Sequence, residues 1–217
     1  INLLINHRNF EGYTALYYAC LNGYEDIALE LIRTKKLLPE ITKINNDSSL
    51  IISTKKMMYS VSYNLIKYEL NNIYHVNQNN ETILNVLCDD IYKSHSFSKT
   101  LIKKVLKYYD IINFDNPEIY TINNINENDN DVLILSCKNN YIDMINFIFA
   151  CPYFSNYEQI NKINETAFTY CIRNNLEKEA HIIMDKVKSK NIFGIITNTK
   201  ETPLTLACKF NMPKLAL

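Results

Sequence analysis

The chain of 217 residues contains only three glycines and five prolines. So few breakers argue against a turn-rich all-β protein and against a flexible linker. An excess of one charge is also missing: 23 Lys and Arg stand against 23 Asp and Glu, for a formal net charge of zero. Nucleic acid and anionic membranes demand a basic excess, so neither is expected as a partner. No apolar run approaches the roughly 18 residues of a membrane span. Three glycines cannot build a G-x-x-x-x-G-K-[ST] phosphate cradle, and no Ser sits in a G-x-S-x-G elbow. His7, His75, His95 and His181 show no H-x-x-x-H or H-E-x-x-H spacing. No catalytic residue, cofactor site or metal site is therefore expected, and the chain reads as a non-enzyme. What is present is a hydrophobic content of 47%, ample for a core without disulfides or metal. Asn, Ile, Lys and Tyr are abundant, a bias that an AT-rich genome would produce.

The apolar residues recur with a long period. Near the C-terminus, "ETPLTLACKF" (201–210) combines a capping Thr202, a Pro203 suited to the first helical position, and Leu204, Ala207 and Cys208 on one helical face. The same arrangement surrounds Leu16, Leu50, Leu84, Leu133 and Phe168. The six anchors lie at intervals of 34, 34, 49, 35 and 36 residues. Two residues before each anchor stands a capping Thr14, Ser48, Thr82, Asp131, Thr166 or Thr202. About seven residues after it, Gly23, Asn140, Asn175 and Asn211 suit a left-handed helix end. Met57 and Ile91 occupy that place in the second and third repeats, so their loops are expected to differ in geometry. A second helix follows, with stripes such as Ile27, Leu31 and Ile32, then Val61, Leu65 and Ile66, then Met144, Ile145, Ile148 and Phe149.

This pattern resembles the ankyrin repeat, a β-turn or hairpin followed by two antiparallel helices over about 33 residues. The resemblance covers nearly the whole chain and is strongest from Gly12 to Ile32 and in "TPLTLAC". It implies an all-α helical solenoid with short β-turn or hairpin connections, a stack of about six helix pairs with the last incomplete. As a single array over 1–217, the repeats fall near 9–42, 43–76, 77–125, 126–160, 161–196 and 197–217. The family's His after the anchor is replaced here by Tyr17, Ile51, Asn85, Ile134, Thr169 and Thr205. Its hydrogen bonding between repeats is therefore not carried over, and packing is expected to do more. The long third interval places extra residues near 93–98 and in 113–130. A helix over 100–109 still aligns Leu101, Ile102, Val105 and Leu106, so the insertion should bulge from the surface. The sixth repeat reaches Leu217 before its second helix is complete, which reads as a cut through a longer array.

Cys20, Cys88, Cys137 and Cys208 stand four residues after their anchors and Cys171 three after, so five of the six cysteines read as buried small hydrophobes. Equivalent positions in adjacent repeats would lie about 10 Å apart, like neighbouring helices, too far for disulfides. Cys151 falls outside this register. With no C-x-x-C, the unpaired thiols fit a reducing, intracellular and cytoplasmic compartment. The sequons at Asn46, Asn80 and Asn164 each use a cap hydroxyl, so the repeat accounts for them without glycosylation.

Fold alone does not fix function. The resemblance implies a protein partner bound at the hairpin tips and the exposed side of the first helices. Those positions lie three, five and six residues before each anchor and five and six after it. They include Phe10, Glu11, Tyr13 and Asn22 in the first repeat, Lys55 in the second, and Gln78, Asp89 and Asp90 in the third. Glu127 and Lys138 follow, then Lys162 and Arg173, and finally Lys209 and Phe210. The expected function is a non-catalytic protein–protein interaction scaffold. The alternative is a targeting or regulatory repeat module of a larger enzyme whose catalytic part lies outside this segment.

Overall fold

A computed structural model describes residues 2–38, 47–68, 73–89, 96–111 and 122–216. Among the described residues there are thirteen α-helices and no strand, so the chain is an all-α helical solenoid of repeated short pairs. After α1 (Asn2–Ile5) come α2 (Ala15–Leu21) with α3 (Glu25–Arg33), and α4 (Ser49–Lys55) with α5 (Tyr59–Lys67). The third pair is α6 (Ile83–Cys88) with α7 (Ser96–Ile111), and the fourth is α8 (Val132–Lys138) with α9 (Ile142–Ala150). The fifth is α10 (Ala167–Arg173) with α11 (Glu177–Lys186), and the sixth is α12 (Pro203–Lys209) with α13 (Pro213–Ala216).

Two compact units result: Ile1–Leu87 with Ile91–Thr121, and Cys88–Asp90 with Ile122–Leu217. In the first, α2 packs on α3 and α4, and α5 packs on α3, α4 and α7. In the second, α8 packs on α9 and α10, α10 on α11 and α12, and α13 on both α11 and α12. First helices therefore stack on first helices, and second helices on second helices.

Local chemistry sets both ends of the first helices. Thr14, Ser48, Asp131, Thr166 and Thr202 hold extended backbone, and each side chain accepts from the N–H three residues on. Thr82 does the same for Asn85. One orphan donor of each helix is thereby satisfied. Where the family's His would stand, Asn85, Thr169 and Thr205 accept back from the cap's own N–H at 2.9, 2.9 and 2.7 Å. Half of the repeats thus fill that place with a reciprocal, local cap.

At the other end, two backbone bonds recur. Gly23 and Tyr24 donate to Cys20 and Ala19, Met57 and Met58 to Thr54 and Ser53, and Asn140 and Tyr141 to Cys137 and Ser136. Asn175 and Leu176, then Asn211 and Met212, repeat the pattern. This closure needs a left-handed residue. Gly23 (φ 74°), Met57 (58°), Asn140 (58°), Asn175 (59°) and Asn211 (56°) all supply it. The expectation of a different loop at Met57 is corrected: packing of α4 on α5 imposes the same turn, although a left-handed residue with a Cβ costs about 1–2 kcal/mol. Ile91 lies outside the described residues.

The anchors Leu16, Leu50, Leu84, Leu133 and Phe168 are buried. So are Val61, Leu65, Ile66, Leu101, Ile102, Val105, Leu106, Met144, Ile145 and Ile148. Three expectations need correction. Ile27 is 53% exposed, and α3 instead buries Ala28 and Ile32. A small residue at that offset (Ala28, Ser62, Ala180) faces inward in three pairs, which lets the two helices approach closely. Leu204 is 53% exposed and Cys208 is exposed as well, so "ETPLTLACKF" buries Leu206 and Ala207 rather than its anchor. Within the units, α4 packs on α2, α10 on α8 and α12 on α10, and each following first helix covers that side of the one before. Among the described residues no first helix packs on the far side of α12, and α13 packs on it from its own pair. Finally, α7 begins at Ser96, so residues 96–98, expected in a surface bulge, are helical.

Candidate functional site

The turn before each first helix closes on itself. Oδ1 of Asn9, Asn77, Asn126 and Asn161 accepts from the backbone N–H groups two and four residues on, at 2.8–3.1 Å. Thr197 Oγ1 makes the second of these bonds, to Glu201, at 3.2 Å. A left-handed residue three positions on (Gly12, Asn80, Asp129, Asn164 or Lys200) completes the turn. In the second unit successive turns are also joined, Lys162 N–H to Asn128 O at 3.2 Å and Asn198 N–H to Ile163 O at 3.3 Å. The tip backbone is thus satisfied internally, and its side chains are free to vary. Sequence reasoning missed these residues. The signal was an Asn seven before the anchor and a Gly, Asn or Asp three later, which is turn chemistry.

Phe10, Gln78, Glu127 and Lys162 stand at the tips and are exposed. Glu11 is exposed too, but accepts from Tyr18 Oη at 3.2 Å and Asn9 Nδ2 at 3.4 Å. Tyr13 stacks on Tyr17 with ring centroids 4.1 Å apart, and Asn22 Nδ2 donates to Tyr18 O at 2.9 Å. Asp89 and Lys138 are half-buried, and Asp90 lies outside the described residues.

Two other expected contact residues brace one turn against the next, and a third, Lys209, pairs within its own turn. Lys55 Nζ lies 3.2 Å from Asp47 of its own turn and 2.9 Å from Glu81 of the following one. Arg173 Nη2 likewise lies 3.0 Å from Glu165 and 2.8 Å from Glu201, with Thr199 Oγ1 at 3.1 Å. Lys209 Nζ reaches Glu201 at 2.7 Å and sits over the half-buried Phe210 ring. Hydrogen bonds from Lys209, Thr199 and Arg173 hold the Glu201 carboxyl down to about 2.

On other loops, one polar side chain reaches a full repeat ahead. Asn6 bonds Lys36 O and Leu38 N–H, and Asn123 bonds Tyr153 O and Ser155 N–H. The Glu158 carboxylate accepts from Lys188 N–H, Ser189 N–H and Ser189 Oγ, which hold its pKa below the usual range.

Cys20, Cys88, Cys137 and Cys171 are fully buried, and desolvation pushes Cys88 up to about 12. The expected separation of about 10 Å between cysteines of adjacent repeats is overturned. Cys171 Sγ lies 3.3 Å from Cys137 Sγ. The residue four after one anchor meets the residue three after the next, so two side chains span the gap between helix axes. Asp131 is fully buried, and desolvation raises its carboxyl to about 7 against the bonds from Ile134, Leu133 and its own N–H. Among the described residues no cluster of three or more His, Cys, Asp or Glu could hold a metal, and no helix is long and apolar enough to cross a membrane.

This architecture is that of an ankyrin-like repeat stack, and the comparisons agree at the level of fold. Residues 11–38 match the ankyrin repeat family. Among solved structures, the ankyrin repeat protein EF0377 is similar with a TM-score of 0.58 at 12% identity, over 93% of this chain and 94% of that one. A chain from the complex of the Bdellovibrio bacteriovorus predatory endopeptidase Bd0816 with immunity protein Bd3460 is similar with a TM-score of 0.56 at 15% identity, over 97% and 96%. No curated protein matches by sequence.

Proposed function

We propose that the chain is a non-catalytic scaffold that binds a protein partner, using its turn tips and the exposed sides of its first helices, inside the cell. The observation that carries this reading is the closed turn. Four Asn side chains satisfy the tip backbones, while the exposed tip residues include an aromatic, two amides, two carboxylates and an ammonium (Phe10, Gln78, Asn128, Glu11, Glu127 and Lys162). A rigid frame carrying varied side chains loses little entropy on binding, which favours recognition. In this proposal Tyr13 and Asn22 border the tips of the first unit, and Asp89, Lys138 and Phe210 those of the second, while Lys55 and Arg173 fix the spacing between successive tips within each unit. Six free cysteines support the intracellular assignment.

The test is capture of partners from a cell lysate by the wild-type chain and by a Phe10→Ala, Glu127→Lys, Lys162→Glu triple variant. All three residues are exposed, so the thermal midpoint should stay put while capture falls at least tenfold. Equal capture of the same proteins by both chains would rule out the tips as the contact surface.

A further inference from the structure

We propose that Cys137 and Cys171 are a disulfide-forming pair, a covalent site that staples the fourth helix pair to the fifth when a small-molecule disulfide such as oxidised glutathione is present. The proposal rests on the packing within the second unit and is independent of the binding role above.

The geometry comes from the register of the stack. α8 and α10 pack directly on each other. The side chain four after the anchor on one first helix meets the side chain three after the anchor on the next, and this contact is seen twice. Ser136 Oγ approaches Cys88 Sγ at 3.5 Å, and Cys171 Sγ approaches Cys137 Sγ at 3.3 Å. Only the second contact brings two thiols together. A disulfide needs about 2.05 Å between sulfurs, so the 3.3 Å approach must close by about 1.3 Å, shared between two side chains. Both thiols are fully buried.

The chemistry balances as thiol–disulfide exchange. The thiolate of one cysteine attacks oxidised glutathione, forms a mixed disulfide and releases one reduced glutathione. The thiolate of the second cysteine then attacks the protein sulfur of that mixed disulfide and releases the other. Two protons leave the cysteines and end on the two glutathione thiols, and two electrons pass to the glutathione pair. Burial keeps the closed stack inert, so exchange runs through opening of the α8–α10 contact. The same burial then shields the finished bond from reductant.

The experiment refolds the chain from denaturant in glutathione buffers of graded oxidising strength, which removes any kinetic block from burial. Free thiols are then trapped with N-ethylmaleimide, and the linked peptides are mapped by mass. We expect two of the six thiols to become protected, a reversible 137–171 link, and a thermal midpoint several degrees higher in the oxidised chain. Cys171→Ala should abolish link and shift together, and Cys208→Ser should leave both in place. Full labelling of both thiols in the most oxidising buffer, or a link that uses any other cysteine in the wild-type chain, would overturn the proposal.

Discussion

The second and fifth helix pairs share a backbone and differ in chemistry. In the second, Ser53, Thr54 and Ser62 bring hydroxyls into the core, with Ser53 and Thr54 lying 2.8 and 3.1 Å from Ser62 and also bonded to Leu50 O. In the fifth, Cys171, Ile172 and Ala180 fill the same places. The second turns through Met57 and the fifth through Asn175, both left-handed. Lys55 braces two carboxylates in one, and Arg173 two in the other. The backbone is therefore set by position in the repeat. Residue type drifts freely as long as every buried polar group keeps a partner and every turn keeps its conformation.

The largest expected effect comes from a cap that departs from this rule. Ser48 and Thr166 cap with a neutral hydroxyl, whereas Asp131 caps with a buried carboxyl raised to about 7. A carboxyl whose pKa is higher folded than unfolded contributes stability below about pH 4 and loses it as pH rises through 7. Asp131→Thr should therefore stabilise the chain on the order of 2–3 kcal/mol at pH 8 and much less at pH 4, read from urea midpoints. A wild-type difference that does not grow with pH would contradict the buried carboxyl.

Arg173→Ala should come next, at about 2 kcal/mol, because it leaves Glu165, only 8% exposed, beside no cation. Lys55→Ala should be closer to about 1 kcal/mol, since its partner Asp47 is 28% exposed and partly screened. Denaturant midpoints would rank the two, and the reverse order would break the equivalence of the braces. Cys137→Ser should cost about 1–2 kcal/mol, a polar group in an apolar stack, with Cys151→Ser milder because Cys151 is half-buried. The smallest change is an exchange of turn residues. Met57→Asn should gain about 0.5–1 kcal/mol and Asn175→Met should lose a similar amount, since Asn tolerates the left-handed region better.

Much of this was legible in the residues. The caps at Thr14, Ser48, Thr82, Asp131, Thr166 and Thr202 were read correctly because a hydroxyl or carboxyl before an apolar face has one local use. The left-handed turn was legible at Asn140 and Asn175 but not at Met57, where tertiary packing overrides the residue's own preference. Ile27 misled because a helical stripe can be drawn one residue to either side, and only Ala28 reveals the closer approach. The cysteine contact was missed because like positions were compared with like. Packing interleaves the fourth residue of one helix with the third of the next. At the candidate surface, the charges at 55, 173 and 209 were visible, but Lys55 and Arg173 also reach Glu81 and Glu201 of the following turn, and that pairing depends on how the turns stack.

The long-reaching side chains Asn6, Asn123 and Glu158 carry one more consequence. Each grips backbone 30 to 32 residues ahead. Together they act as a ruler laid along the chain, graduated in repeats. A residue inserted or lost within one of these spans would slide its gripped backbone off the mark, whereas length gained outside them would go unmeasured. Heritable changes in length should therefore come as whole repeats or fall outside the graduated spans.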